Sequence, residues 1–129
     1  MPDLLLLFNH TTTEVQRKDA VRQLGIERII EPPPDIRATW FSLPPEEAAL
    51  VPVLEPVVTW LDATASAGDY VLVQGDFGAC WLLVNHCLNQ GYIPVYSTTE
   101  RHAVEEHLDD GTVRLVHRFQ HVRFRKYGQ

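Results

Sequence analysis

The chain has little of what would announce a role. Its 129 residues include only two cysteines, Cys80 and Cys87, seven apart in an apolar stretch. On a helix that spacing puts both on one face with Cα atoms ~10 Å apart, beyond the reach of a disulfide. They read as reduced core thiols. Long hydrophobic runs are missing as well. The longest near the start, Leu4–Phe8, is far below the ~18 residues of a membrane span, and no basic region precedes it. A cytoplasmic protein with no membrane partner is expected. Six histidines (His10, His86, His102, His107, His117, His121) show no HExxH or other close ligand pairing, so no metal or other cofactor is expected. A Walker lysine, the dinucleotide glycine spacing, a serine nucleophile elbow and a Cys–His dyad are absent too. Acidic residues stop before Thr112, while Arg114, Arg118, Arg123, Arg125 and Lys126 follow it. A formal charge of −6 argues against long nucleic acid. An acidic body with one basic segment suits a localised anion.

What is present describes one α/β domain. No internal repeat, low-complexity tract or dividing linker occurs, and the length is that of a single unit with its own core. Leu4–Phe8 is a continuous apolar run, as in a central strand covered on both faces. Thr11 with Glu14 three later has the form of a capping box, opening a helix that carries Val15, Val21 and Leu24 inward and stops at Gly25. Glu27–Ile30 follows as a strand, ended by three prolines in Glu31–Asp35. Trp40 and Phe41 fall in a segment compatible with a helical turn. A long helix is expected from near Pro45, with Glu46 and Glu47 in its first turn and a kink or break at Pro52 and Pro56. Tyr70–Gln74 is an apolar strand, Ala79–Gln90 a helix apolar nearly all round and closed by Gly91, and Ile93–Ser97 the next strand. This βαβ unit requires a right-handed crossover. Pro94 points to an edge position for its strand. The tail reads as two strands joined by a turn at Gly111, with a short helix at Ala103–Leu108 as the alternative.

In such a sheet the ligand crevice lies outside the carboxyl ends of the strands, where strand order reverses. Three exits converge there: Asn9–Thr13, Gln74–Gly78 and Ser97–Arg101. In the second, Gly75 and Gly78 let backbone approach a ligand, and the N–H groups from Phe77 to Cys80 face outward at a helix N-terminus suited to an anion. Asp76 is either the cap of that helix or an acceptor for a sugar hydroxyl or base. Gln74 closes the strand beneath it. The first exit offers Asn9, His10 and Thr11; the third offers Thr98, Thr99 and Arg101, whose guanidinium can pin a phosphate bidentately. For an RNA-like ligand, its own 2′-hydroxyl supplies the nucleophile, leaving positioning and charge stabilisation to the protein. His10 or His121 would move protons, and Arg101 or Arg123 would stabilise the developing charge, with Arg125 beside them. Each exit also has a plainer reading, as a helix cap, a packing turn or a polar loop.

The segments "LLLLFNH", "GDYVLVQGDFGA", "IPVYSTTER" and "FQHVRFRKY" together resemble a small stand-alone CRISPR-associated family of type III systems, the Csx family numbered twenty, from Leu4 to Tyr127. The resemblance implies a minimal Rossmann-like (CARF-like) domain, with a mainly parallel sheet flanked by helices and a hairpin-like C-terminal tail. It also implies a homodimer and a metal-independent ring nuclease. Such an enzyme would bind cyclic oligoadenylate, most of all cyclic tetra-adenylate, and open it to a 2′,3′-cyclic phosphate, ending an antiviral signal. A non-catalytic sensor of the same ligand is the alternative.

Overall fold

The computed structural model describes all 129 residues. One five-stranded sheet has the order β2-β1-β3-β4-β5, formed by β1 (Leu4–Phe8), β2 (Ile29–Ile30), β3 (Tyr70–Gln74), β4 (Ile93–His107) and β5 (Val113–Lys126). The first four run parallel, and β5 returns antiparallel to β4. The fold is therefore α/β, with a mostly parallel sheet flanked by helices and a C-terminal antiparallel pair. No helix is long and apolar enough to cross a membrane.

Alternation along the strands divides the core into two layers. Leu5, Leu7, Val71 and Val73 pack under α2 (Pro34–Phe41), α3 (Val51–Thr64) and α4 (Phe77–Gln90). Leu4, Leu6, Leu72, Val95 and Phe124 face the other way, against Ala20 and Ile26. That second face is covered by α1 (Glu14–Asp19), which runs on as a π-helical turn over Ala20–Leu24 and closes at Gly25, whose φ is +64°. The β1-to-β2 connection thus lies on one side of the sheet and the β2-to-β3 connection on the other, and strand order reverses between β1 and β3. Their ends lie level, with Phe8 opposite Gln74.

Several sequence expectations are corrected here. The capping box is Thr13–Gln16, two residues later than expected, with the Gln16 N–H donating to Thr13 Oγ1 at 3.2 Å and the Thr13 N–H to Gln16 Oε1 at 2.8 Å. Val15 and Val21 consequently point outward. The long helix starts at Val51, not near Pro45. Pro52 costs nothing in a first turn but ~3 kcal/mol inside a helix, so it sets the start; only Pro56 is interior. Trp40 and Phe41 close a complete helix, α2. Pro94 is buried in β4, a strand inside the sheet rather than at its edge. Its carbonyl accepts from Tyr127 N, and its nitrogen stands just beyond the last ladder pair, Val95–Lys126, where no donor is needed.

The largest departure is at the third exit. Ser97–Arg101 is not a loop: β4 runs straight through it to His107, paired with β5 throughout. Nor is there a helix at Ala103–Leu108. Pairing with β3 ends at Val95, so from Thr98 onward β4 and β5 form a free-standing two-stranded arm. A bulge at Thr98/Thr99 marks its base, and the turn around Gly111, φ +85°, its tip. Its eight residues from Glu100 to His107 reach ~27 Å at ~3.4 Å per residue.

Candidate functional site

The carboxyl ends of β1 and β3 carry the exits Asn9–Thr13 and Gly75–Asp76 side by side, and the arm rises next to them. Asn9, His10 and Thr11 are exposed, and the His10 ring stands edge-on to Phe8 at 5.5 Å between centroids. Because Thr13 takes the cap, Thr11 is left free. The neighbouring Thr12 Oγ1 is buried without a hydrogen-bond partner, the kind of atom a polar ligand satisfies.

Gln74 is a fastener. Its backbone carbonyl accepts from Trp40 Nε1 at 3.0 Å, and its side-chain Oε1 accepts from Ser97 N at 2.8 Å, joining β3 to β4 where their ladder has ended. Gly75 is needed for this closure: a Cβ there would stand 3.1 Å from Trp40 Nε1. Asp76 then takes the N-cap of α4, its Oδ2 accepting from Ala79 N at 3.0 Å and its carbonyl from Cys80 N at 2.9 Å. The expectation of a run of bare amides from Phe77 to Cys80 is therefore corrected. Only the N–H groups of Phe77 and Gly78 stay open, and a carboxylate sits among them. Aspartate is a strong N-cap residue and satisfies the orphan donor that an anion would need. A hydroxyl or amino donor fits this turn better than a phosphate does.

Beside the turn lies an aromatic cavity of about 440 Å³, open at the rim and lined by Gln74, Gly75, Phe77, Trp81, Tyr96 and Tyr127 among others. Phe77 is 94% exposed and Trp81 68%. Tyr96 and Tyr127 lie tilted at 4.8 Å, and the Arg125 guanidinium is 5.5 Å above the Tyr96 ring with its Nη1 3.0 Å from the hydroxyl. Burial raises the Cys80 thiol and pushes Tyr127 up to about 12, so both walls are protonated at neutral pH. Neither is a nucleophile there. Of these residues the sequence reading had named Gln74, Gly75, Phe77 and Arg125. Trp81, Tyr96 and Tyr127 were missed, although a helix apolar nearly all round and without Asp, Glu, Lys or Arg was a legible signal that one apolar face would be left open.

The family model for the "Uncharacterized protein MJ1673" family matches residues 2–125. The protein of that name from Methanocaldococcus jannaschii is 39% identical over 127 residues, 98% of each chain. The chain belongs to the MJ1673 family. No solved structure matches it.

In this MJ1673-family chain the remaining predicted residues divide between rim and arm. Thr98 Oγ1 donates to the Arg123 carbonyl at 3.1 Å and accepts from its N–H, so both are spent on the bulge, and Arg123 Nε donates to the Phe124 carbonyl. Thr99 and Arg101 stand on the arm, Arg101 exposed and without a carboxylate partner. Arg114 is paired across the ribbon with Glu106 at 2.8 Å, which removes it from the free basic charge of the tail.

His121 is not on the open rim. Its side chain is 3% exposed, with Nε2 2.7 Å from Asp19 Oδ2 and Nδ1 against Ser97 Oγ. Asp19 also accepts from Arg22 at 2.8 Å, and Ser97 Oγ from Gln16 Nε2 at 3.3 Å. A serine, a histidine and an aspartate in hydrogen-bonded series have the composition of a hydrolase triad. Ser97 is only 7% exposed, however, and its hydroxyl is already engaged twice. Attack on a substrate requires that oxygen free. The series is a buried strut tying α1 to β4 and β5. No group of three or more His, Cys, Asp or Glu side chains is placed to hold a metal ion.

Proposed function

We propose that this protein binds a cyclic oligoadenylate on the carboxyl rim of its sheet and opens the ring. The observation that carries the reading is the aromatic cavity beside the Gly75–Asp76 turn. An adenine slides between flat side chains there, as base–aromatic stacking contributes ~1–3 kcal/mol per base. Asp76, whose Oδ1 is not used by the cap, accepts from the adenine amino group or a ribose hydroxyl. Phosphates extend along the rim towards Arg125 and the Asn9–Thr11 exit. The sequence resemblance supplies the cyclic tetra-adenylate; the cavity supports a nucleobase of that kind.

The reaction needs no cofactor. The 2′-oxygen forms a bond to the adjacent phosphorus while the bond from phosphorus to the 5′-oxygen breaks. The 2′-hydroxyl proton passes to a base, and the leaving 5′-oxygen takes up a proton. In this reading His10, exposed on the first exit of the same rim, serves the proton transfer, and Arg125, over the Tyr96 ring that lines the cavity, supplies the cation. The products are a 2′,3′-cyclic phosphate and a 5′-hydroxyl.

A second reading, capture without cleavage, is favoured by one observation: of the three residues expected to do chemistry, His121 is sealed in the strut and Arg101 stands on the arm, leaving His10 alone. Incubating the full chain with radiolabelled cyclic tetra-adenylate in EDTA separates the two. Linear product ending in a 2′,3′-cyclic phosphate is expected. An intact ring at stoichiometric protein, with binding by calorimetry, establishes capture alone; no binding removes both.

A further inference from the structure

The arm formed by Glu100–His107 and Val113–Gln120 is amphipathic in an unexpected sense. The register places Arg101 opposite Phe119, Ala103 opposite His117, Glu105 opposite Leu115 and His107 opposite Val113 on one face. That face continues the side of the sheet occupied by Val95, Ser97 and Phe124, which α1 covers on the body and nothing covers on the arm. Its apolar members are wide open: Phe119 is 70% exposed, Leu115 60% and Val113 54%. The opposite face holds Glu106 paired to Arg114 and Glu100 to His102 at 3.4 Å, whereas on this face Glu105 has only His107, at 3.9 Å. A two-stranded ribbon without cover is marginal in water. An uncovered apolar stripe on it marks an interface.

The pattern is self-complementary under one two-fold rotation. An axis across the strands at the Ala103/His117 row stacks β5 of one copy on β5 of the other with directions reversed. Phe119 then meets the partner's Leu115, and Arg101, which has no carboxylate in its own chain, meets the partner's Glu105. Ala103, the smallest side chain of the face, and His117 sit at the axis, each against its own copy. Stacking the arms in parallel would instead set Arg101 on the partner's Phe119 and Glu105 on the partner's Leu115, burying two charges against apolar groups. Moving the axis to the neighbouring rows brings like charges together, Arg101 on Arg101 or Glu105 on Glu105. We infer that the arms of two copies pack face to face, antiparallel, around the Ala103/His117 row. The interface is isologous, each contact occurring twice. An area this limited supports a weak dimer rather than a permanent one.

Sedimentation velocity of the full chain over a concentration series tests this. A monomer–dimer equilibrium in the micromolar range is expected. Leu115→Glu and Arg101→Glu should each raise the dissociation constant by roughly tenfold or more, since each loss is repeated by symmetry. The double charge swap Arg101→Glu with Glu105→Arg should restore association. All these positions are exposed, so unchanged thermal melting of dilute protein certifies the fold. A wild-type chain that stays monomeric overturns the inference. So does a dimer indifferent to Leu115→Glu, or a swap that fails to rescue Arg101→Glu.

Discussion

At the scale of single residues, the buried series Asp19–His121–Ser97 carries a titratable carboxylate into the joint between α1 and the β4–β5 pair. Burial pushes the Asp19 carboxyl up, but the hydrogen bonds from Arg22 and His121, with their charges, outweigh it and hold the group below its usual 3.8. A carboxylate with a depressed value stabilises the fold fully above 3.8, and that contribution drains away as pH falls through the lower folded value. Asp19→Ala leaves the His121 Nε2 without its partner in the interior and should cost about 3 kcal/mol at neutral pH. Denaturant titration reads that loss. Below pH 3.8 the variant's stability should fall less steeply than the wild type's; equal slopes would show that Asp19 titrates normally. His121 was legible as a histidine near a basic segment, but its role was not. Residues 19, 97 and 121 carry no shared pattern along the chain, and only the crossing of α1 over β4 and β5 brings them together.

At the scale of elements, the capped turn of α4 decides what kind of contact the rim makes. With Asp76 on the Ala79 N–H, the binding proposed above rests on aromatic surface more than on amides. Phe77→Ala and Trp81→Ala should each weaken cyclic adenylate binding by ~1–3 kcal/mol in calorimetry, the worth of one stacked base. Both side chains are exposed, so melting temperatures should move little. Affinity unchanged in both would place the base elsewhere. Elements rich in apolar runs were plain in the sequence: β1, β3, α4, the start of β4 and the Gly111 turn. The start of α3 was not, because Pro44, Pro45, Pro52 and Pro56 all compete to define it and only the first-turn rule selects Pro52. The cap of α1 was misplaced by two because Thr11, Thr12 and Thr13 are equivalent candidates, and Gln16 rather than Glu14 closes the box. The C-terminal hairpin was legible as two strands about the Gly111 turn, but its continuity with β4 was not, because the Ser97–Arg101 segment "STTER" is polar and reads as a loop.

For the whole molecule, the reversal of strand order between β1 and β3 brings the Asn9–Thr13 exit and the Gly75–Asp76 turn to one rim, and the extension of β4 sets a wall beside them. This convergence was readable from the order of elements alone. That the third exit, Ser97–Arg101, is strand and runs on into the hairpin was not. The rim gathers an open imidazole at His10, a carboxylate at Asp76, an aromatic cavity and the Arg125 cation. On the function proposed above, an adenine occupies that cavity. The direct measurement is a crystal structure of the full chain with cyclic tetra-adenylate made uncleavable by blocking its 2′-hydroxyls. A base is expected in the cavity among Phe77, Trp81 and Tyr96, with Asp76 accepting a hydrogen bond from it or its ribose. A ligand bound at the opposite end of the sheet, or on the rim with the cavity unfilled, would contradict it.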